Sequence, residues 1–536
     1  MEDRILIYDT TLRDGTQGED INFSLHGKIR IAKELDRLGV QFIEGGWIPS
    51  NPKDDSFFQK ISTPELENSS IIACGSTRRP GREAEEDSSL KALVESGVDG
   101  VALVGKSWKL HVRQVLNTEL EENLDMIEES VRMAKRNQKL VIYDAEHFFD
   151  GYRDDPDYAL ETLKRAQSAG ADYICLCDTN GGTLPEELRS AVSSIKSEVK
   201  APLGIHAHND SGLAVANSLA AVKGGAKMVQ GTINGYGERV GNANLSTLIP
   251  DLSLKLQKRT LEGGREQLKD LTTVSHAVSE LANKAPNRKA PYVGADAFAH
   301  KAGMHVDAVV KNPETFEHIR PKVVGNERRF LASELSGKST IKRKLLKLGF
   351  DVQNDDKLVQ KVLERLKELE NEGHQFENAD ASLKLLAWRV QDALPDYFEI
   401  LDYGSEVAHR AGDRPRAEAE VTIRVKDQTR GASAAGDGPV HALDNAFRFA
   451  LNSFYPPIKE MKLTDYKVRI LESHRGTAAK PRVVIEMTNG SSIWTTVGVS
   501  TNIIEASWNA LRDAYIYGLQ LYGTPAHRSP AEKLDS

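Results

Sequence analysis

The sequence predicts a (β/α)8 TIM barrel, followed by a helical accessory region and a C-terminal α+β domain, for three reasons. Short apolar runs and longer amphipathic stretches alternate through the first half of the chain, about eight times as such a barrel requires. Polar and charged residues follow the ends of most of these apolar runs. From about Asp396 the pattern changes to alternating strands, which indicates a separate domain.

The barrel elements follow from local patterns. The predicted strands are Ile5–Thr10, Phe42–Trp47, Ile71–Gly75, Gly100–Val104, Leu140–Tyr143, Tyr173–Cys177, Leu203–Ala207 and Met228–Thr232. The predicted helices between them include Ser24–Leu38, Glu119–Arg136, Asp157–Ala169 and Leu184–Val199. Ser24 and Asp157 are expected N-caps, and Gly39 and Gly170 stand where C-caps belong. A doubly wound open sheet, the alternative, would need fewer strands and usually a glycine-rich turn after the first strand, which is absent after Ile5–Thr10.

The length of 536 residues predicts two or three domains. We expect the barrel at 1–258, the helical accessory region at 259–395, the α+β domain at 396–524 and a polar tail at 525–536. The net charge of -8 disfavours a nucleic-acid partner, and no apolar run has membrane-spanning length. A strand begins close to Met1, which leaves no room for a signal peptide. The odd number of cysteines, 3, predicts buried thiols in a reducing, cytoplasmic setting.

Two histidines mark the predicted site. His206 and His208 are two apart on strand seven, so their side chains project from one face and can bind a divalent cation with carboxylates from elsewhere. The alternative is that they only hydrogen-bond to backbone near a strand end. In this fold the chemistry lies where strands end, and other polar groups converge there. They are Asp9–Gln17, Glu44–Trp47, Asp144–His147, Asp178–Asn180 and Gly235–Ala243. The set as a whole predicts a metal-dependent active site.

Three motifs resemble the signatures of one family. Asp9–Gln17, His206–Asp210 and Gly235–Ala243 together are similar to those of the metal-dependent acyl-transfer and lyase barrels. That group includes 2-isopropylmalate, homocitrate and citramalate synthases and 3-hydroxy-3-methylglutaryl-CoA lyase. The resemblance implies acetyl-CoA as co-substrate and makes Asn242 a further candidate ligand or a partner of a ligand. The glycine-rich motif follows the last strand and so is no dinucleotide fingerprint.

The chemistry of the residues agrees with that resemblance. Asp14, His206 and His208 supply one oxygen and two nitrogens to Mg, Mn, Co or Zn, and leave positions where a 2-oxo acid can bind. Arg13 is placed to pair with the substrate carboxylate or the developing alkoxide. Glu146 is a candidate acid or proton relay, with a role as hydrogen-bond partner of a histidine left open. The same three ligands would suit a non-haem iron oxygenase, but nothing indicates oxidative chemistry.

Further residues at the carboxyl ends of the predicted strands have less specific roles. Gln17 and Thr179 are expected to contact the substrate. Glu44 and Asp178 are interpreted as possible members of ion pairs at the barrel mouth. The residues that bind CoA stay unassigned.

The segment Asp296–Ala308 resembles a part of the synthases that lies outside the barrel and lends a histidine to the site. His305 matches that histidine best, with Asp307 as its neighbour. A condensation needs a base for the weakly acidic methyl group of acetyl-CoA, and a positioned histidine suits this role. His300 competes for it but is interpreted as structural. By resemblance the lyase lacks this extension.

The C-terminal part resembles the regulatory, dimerising domain of the isopropylmalate and citramalate synthases. That implies a homodimer and an amino-acid effector, expected to be isoleucine. Two glycine-bearing turns, Gly436–Gly438 and Val497–Val499, are predicted to approach the effector's carboxylate and ammonium groups. Tight turns in a dimerisation domain without a ligand remain the alternative.

The 2-oxo acid that reacts with acetyl-CoA is inferred from two segments. Phe42–Asp54 and Gly105–His111 resemble a subgroup of long citramalate synthases, although Ile48-Pro49 departs from the Pro-Gly usual there. The resemblance implies condensation of pyruvate with acetyl-CoA on a route to isoleucine. 2-Isopropylmalate synthase is the main alternative, followed by homocitrate synthase and by an inactive barrel that senses an amino acid.

Overall fold

The computed structural model describes residues 4–49, 52–61, 66–331, 338–376, 379–409, 416–471 and 478–526. The chain forms two compact units. The first comprises Met1–Phe298 and Ile319–Arg328, and the second comprises Ala299–His318 and Arg329–Ser536. Of the predicted polar tail, only residues 525 and 526 belong to the described part.

The first unit is a closed barrel of eight parallel strands in sequential order, in which the first strand also pairs with the eighth. The strands are β1 (Leu6–Asp9), β2 (Phe42–Trp47), β3 (Ser70–Ser76), β4 (Gly100–Lys106), β5 (Leu140–Glu146), β6 (Tyr173–Asp178), β7 (Leu203–Ala207) and β8 (Met228–Gly231). The helices are α1 (Leu25–Leu38), α2 (Pro52–Lys60), α3 (Ser88–Val94), α4 (Lys109–His111), α5 (Leu120–Arg136), α6 (Phe148–Asp154), α7 (Pro156–Ser168), α8 (Pro185–Glu198), α9 (Ala214–Gly224), α10 (Leu245–Pro250) and α11 (Leu271–Leu281). The predicted fold class is confirmed.

The helix ends show how the local sequence defines the elements. Ser24 caps α1 as predicted, because its Oγ accepts a hydrogen bond from the Gly27 amide. The prediction that Asp157 caps α7 is wrong. Asp155 is the N-cap and accepts from the Tyr158 amide at 3.0 Å. Pro156 occupies the first helical position, which suits its fixed φ and missing N–H, so the residue before it becomes the cap.

Strand register brings polar side chains to one end of the barrel. Lys106 on β4 is the neighbour of Glu146 on β5, and His206 on β7 is the neighbour of Gln230 on β8. Farther inside, the barrel is filled by buried apolar and sulfur-bearing side chains: Tyr8, Phe42, Ile72, Cys74, Ala102, Ile142, Cys175, Cys177 and Met228. The three cysteines are free and buried, as expected.

The described residues of the second unit form a short parallel pair, four helices and two antiparallel sheets with a helix each. The first group is β9 (Ala299–His300), α12 (Gly303–Lys311), β10 (Arg329–Phe330), α13 (Lys338–Lys347), α14 (Asp356–Asn371) and α15 (Asp380–Val390). The next is β11 (Glu399–Ala408), β12 (Arg416–Val425), β13 (Gln428–Gly436) and α16 (Pro439–Asn452). The last is β14 (Lys462–Ile470), β15 (Pro481–Thr488), β16 (Ile493–Val499) and α17 (Ile503–Leu521). The pattern of three strands and a helix thus occurs twice around a common core.

One feature of this unit differs from the expectation. Val497–Val499 is the end of β16 and not a turn. A Cβ at Gly498 would lie 2.1 Å from the Ala506 carbonyl oxygen, so glycine lets α17 pack directly on the strand. The helix α14 buries five apolar side chains in a core with α13 and α15. Among the described residues, no helix is long and apolar enough to cross a membrane.

Candidate active site

Most of the predicted site residues meet in one cavity of about 380 Å³ at the carboxyl ends of the barrel strands. The predicted residues in its wall are Arg13, Asp14, Gln17, Glu146, Thr179, His206 and His208. They come from four different strand ends, so closure of the barrel is what brings them together.

Three of these side chains direct donor atoms at one point. Asp14 begins a short 3-10 turn after β1, and its Oδ2 lies 3.5 Å from His206 Nε2 and 3.9 Å from His208 Nε2. The two Nε2 atoms are 3.2 Å apart. All three side chains are buried. This arrangement can hold a small divalent cation through one oxygen and two nitrogens.

The protonation states of Asp14, His206 and His208 favour binding of a cation. Burial lowers the pKa of both histidines, that of His208 to about 4, so the imidazoles are neutral near pH 7. Burial alone would raise the pKa of Asp14, but the positive charge of the adjacent Arg13 acts in the opposite direction, and that pKa is lowered to about 2. The site therefore presents a carboxylate and two neutral imidazoles, the forms in which these groups bind metals.

Asn242 adds a further oxygen beside this group. Its Nδ2 donates to the Tyr236 carbonyl at 3.2 Å, and its backbone pairs with that of His208. Within the described part of the chain, the Oδ1 atoms of Asp14 and Asn242 are buried without a hydrogen-bond partner. Buried polar atoms without partners are costly, and a bound cation would satisfy both. The donor set therefore fits Mg, Mn, Co or Zn.

The glycine-rich motif keeps Asn242 in place. A Cβ at Gly237 would lie 2.1 Å from Asn242 Nδ2, and the φ of 152° favours glycine there. A Cβ at Gly241 would lie 1.9 Å from the Gly235 carbonyl oxygen. The glycines thus allow the loop after β8 to fold tightly against the candidate ligands.

Arg13 connects the candidate ligands to a buried carboxylate. Its Nε donates to Glu44 Oε2 at 2.7 Å, and its Nη1 donates to Asp14 Oδ2 at 3.1 Å. Glu44 is fully buried and also accepts from the Tyr8 hydroxyl at 3.0 Å. The guanidinium is therefore held by two carboxylates, and Arg13 also lines the cavity.

The other wall residues make contacts of different kinds. The Glu146 carboxylate forms an ion pair with the Lys106 ammonium across β4 and β5. Thr179 Oγ1 accepts from the His147 amide at 2.9 Å, and the Thr179 carbonyl accepts from Arg239. The Glu146 carboxylate and the Thr179 hydroxyl are thus both at the cavity, on neighbouring strand ends.

Asp178, the other acid weighed at the barrel mouth, accepts hydrogen bonds from Thr183 Oγ1 at 2.8 Å and Asn217 Nδ2 at 3.2 Å. Its contacts are those of a buried structural group that fixes the segment after β6.

The candidate base lies in the second unit, on α12. The ring of His305 stacks on that of Phe316 with centroids 4.1 Å apart. Asp307 Oδ2 accepts from Lys311 Nζ at 2.7 Å, one helical turn on. His300 Nε2 lies 3.1 Å from Oε1 of the buried Glu317, a contact typical of a structural histidine.

The sequence analysis missed two polar residues of the barrel end, Gln230 and Lys106. Gln230 Oε1 lies 2.9 Å from His206 Nδ1, and Gln230 Nε2 donates to Asp144 Oδ1 at 2.9 Å. Lys106 pairs with Glu146. A glutamine within a short buried strand, and a lysine at the end of an apolar one, were signals that could have found them, because buried polar groups need partners.

The segments predicted to bind an effector have distinct surroundings in the second unit. Val497–Val499 lines a cavity of about 570 Å³, together with Arg389, Arg512 and Asp513. Arg389 Nη2 pairs with Asp513 Oδ1 at 2.5 Å. At the other segment, Gly438 is the N-cap of α16, and the Asp437 amide donates to His441 Nδ1 at 3.2 Å.

Three family models match successive parts of the chain. The family model described as HMGL-like matches residues 4–278, that of the homocitrate synthase post-HMGL domain-like region matches 292–374, and that of the LeuA allosteric (dimerisation) domain matches 377–519. An (R)-citramalate synthase of Aquifex aeolicus is 50% identical over 97% of this chain and 98% of its own length. One of Geobacter sulfurreducens is 49% identical over 96% and 97%. A 2-isopropylmalate synthase of Methanocaldococcus jannaschii is 31% identical over 95% and 94%.

Proposed function

The chain belongs to the (R)-citramalate synthase family, and from this premise we propose which of its residues carry each step of the reaction. The enzyme joins acetyl-CoA to pyruvate and releases citramalate and CoA. A carbon–carbon bond forms between the acetyl methyl carbon, which loses a proton, and the keto carbon of pyruvate, whose oxygen becomes a hydroxyl. Water then cleaves the thioester. Pyruvate is favoured over 2-oxoisovalerate because identity to the citramalate synthases of Aquifex aeolicus and Geobacter sulfurreducens is 50% and 49%, against 31% to the isopropylmalate synthase.

A divalent cation is the proposed cofactor, with Asp14, His206, His208 and Asn242 as the residues that would hold it. When bound, such a cation draws electron density from the keto group of the 2-oxo acid. The single observation that supports this site best is the convergence of Asp14 Oδ2 and the two histidine Nε2 atoms within 3.9 Å.

Arg13 is the proposed anion-binding group. The carboxylates of Glu44 and Asp14 hold its guanidinium in one orientation before the substrate arrives, which lowers the cost of binding a further anion. We assign it the substrate carboxylate or the oxygen that gains negative charge during attack. Gln17 and Thr179, in the same cavity wall, are proposed to contact the 2-oxo acid.

His305 is proposed as the base that removes a proton from the acetyl methyl group. Asp307, on the same helix, is proposed to assist His305. Its carboxylate forms an ion pair with the exposed Lys311 and is itself about half exposed. Glu146 is the proposed proton donor and acceptor at the barrel, for the new hydroxyl group or for the water that cleaves the thioester. The Lys106 ammonium keeps the Glu146 carboxylate at the cavity wall.

We further propose that the protein is a homodimer that isoleucine inhibits through the C-terminal domain, which matches the LeuA allosteric (dimerisation) family. The same proposal divides the chain into a barrel at 1–258, an accessory region at 259–395 and a regulatory domain at 396–524. An effector changes activity only if it binds two states of the enzyme with different affinity. Gly436–Gly438 and Val497–Val499 are the segments proposed to contact it.

The test is an assay of thiol release with pyruvate, 2-oxobutyrate, 2-oxoisovalerate and 2-oxoglutarate at constant acetyl-CoA. We expect the highest kcat/KM with pyruvate. A higher value with 2-oxoisovalerate would assign the enzyme to isopropylmalate synthesis, and no thiol release with any acceptor would contradict a catalytic function.

A further inference from the structure

A hydrogen-bonded chain runs through the barrel interior behind His206. Gln230 on β8 is 1% exposed, and its Oε1 lies 2.9 Å from His206 Nδ1 on the neighbouring strand β7. On its other side, Gln230 Nε2 donates to Asp144 Oδ1 at 2.9 Å. Asp144 is on β5 and is 3% exposed, so the whole chain is shielded from water.

The order of donors and acceptors in this chain is determined by its far end. Burial, followed by the charge of Glu44, raises the pKa of Asp144 to about 7. In either protonation state Asp144 keeps an oxygen that accepts the Gln230 amide N–H. In the structure the amide nitrogen faces Asp144, and Gln230 Oε1, which can only accept, faces the imidazole. His206 Nδ1 must then carry the proton.

With the proton on Nδ1, the free lone pair of the His206 imidazole is on Nε2. His206 Nε2 lies 3.2 Å from His208 Nε2 and 3.5 Å from Asp14 Oδ2. His208 differs, because its buried Nδ1 has no hydrogen-bond partner within the described ranges. Of the two histidines, His206 is therefore the one whose tautomer and ring orientation are set by the barrel.

We propose that Gln230 is a positioning residue that holds His206 in the Nδ1–H tautomer, with Asp144 orienting the Gln230 amide. The inference rests on the proposed role of His206 as a metal ligand. A preset ligand loses less freedom on binding, and a hydrogen bond to the other ring nitrogen increases its basicity. Changing Gln230 should therefore weaken metal binding without removing a ligand.

The first variant is Gln230→Leu, which removes the acceptor at similar volume. Its matched control is Gln41→Leu, because Gln41 is also a buried barrel glutamine with two hydrogen bonds, from the Ile7 amide at 2.8 Å and to the Gly39 carbonyl at 2.9 Å. Two properties of the metal-free full-length protein are measured: the tautomer of His206 by ¹⁵N NMR of the imidazoles, assigned with His206→Gln, and the affinity for Mn²⁺ by calorimetry.

Gln230→Leu should give a mixture of His206 tautomers and raise the Kd for Mn²⁺ by about 10- to 100-fold, the usual effect of losing such a partner. Gln41→Leu should change neither property. In the double variant Gln230→Glu with Asp144→Asn, the direction of the hydrogen bond between the two residues is reversed. The side chain at 144 can then donate, and the side chain at 230 can accept from both 144 and His206. This variant should recover the Nδ1–H tautomer and most of the Mn²⁺ affinity.

Three results would overturn these assignments in distinct ways. An unchanged tautomer in Gln230→Leu refutes the positioning role. An equal loss of Mn²⁺ affinity in Gln41→Leu shows that general damage to the barrel, and not His206, causes the effect. A changed tautomer with unchanged Mn²⁺ affinity leaves Gln230 as the partner of His206 but refutes the claim that this hydrogen bond strengthens metal binding, whereas loss of the ligand role itself would show as unchanged Mn²⁺ affinity in His206→Gln.

Discussion

Replacing Arg13 by lysine tests whether the guanidinium binds the substrate or only its two carboxylates. Arg13 uses Nε for Glu44 at 2.7 Å and Nη1 for Asp14 at 3.1 Å, which leaves Nη2 for the 2-oxo acid. A lysine ammonium is a single point charge, and the two buried carboxylates would bind it. The variant should therefore keep its internal ion pairs and lose the contact with the substrate.

The magnitude follows from the kind of contact that is lost. A hydrogen bond to a charged group contributes about 1.5–3 kcal/mol, and about 1.4 kcal/mol corresponds to a factor of ten. We expect kcat/KM for pyruvate in Arg13→Lys to fall by about 10- to 150-fold. The affinity for Mn²⁺ should change little, because the four proposed ligands and the charge beside Asp14 remain.

The assay is thiol release with pyruvate varied at saturating acetyl-CoA and Mn²⁺. Arg239→Lys is the matched control, since Arg239 lines the same cavity but binds Asp210 through two nitrogens, at 2.7 and 2.8 Å. It should reduce kcat/KM by less than about threefold, as expected for an exposed pair. If Arg13→Lys is as active as that control, or if it loses Mn²⁺ binding, the substrate-binding role of Arg13 is refuted.

Four further predictions concern other parts of the protein. His206→Ala and Asp14→Asn should abolish turnover and tight Mn²⁺ binding while the circular dichroism spectrum is kept; full activity at low added metal would contradict the ligand assignment. His305→Ala should lose condensation but still bind pyruvate to the Mn²⁺-loaded enzyme in calorimetry, and near-normal turnover would move the base elsewhere. Isoleucine should bind the intact protein and inhibit it, with leucine weaker; if no branched-chain amino acid binds or changes the rate, the C-terminal domain only dimerises. Burial holds the pKa of His208 at about 4 against an ordinary 6.5, so the unfolded chain binds that proton more readily. Stability of the metal-free protein should therefore fall as the pH drops from about 6.5 to about 4, and thermal melts of His208→Gln should show a weaker dependence.

Local patterns were sufficient to predict the barrel and its candidate ligands. All eight strands were placed close to their observed positions, because short buried runs bounded by polar residues are visible in the sequence itself. His206 and His208 could be paired because residues two apart on a strand share a face. Asp14 could be added because the carboxyl ends of the strands meet in this fold.

The C-terminal domain was harder to predict from local patterns. The strand β11 is mostly exposed and polar, and β13 is rich in glycine, alanine and serine, so neither has the apolar alternation of a half-buried strand. Both form because they pair on either side of β12, whose alternate side chains are buried against α16. Gly498 was interpreted as a turn residue. The actual reason for a glycine there is the close approach of α17, which the local sequence does not show.

What the sequence by itself determined is the set of barrel strands and the identity of the atoms that can bind a cation. Only the tertiary structure decided how those atoms are held. Gln230 meets His206 from 24 residues away and Asp144 from 86 residues away. Arg13 reaches Glu44 across 31 residues. Such contacts depend on strand register and on closure of the barrel, which arise from the packing of the whole unit and leave no periodic signal in any one segment.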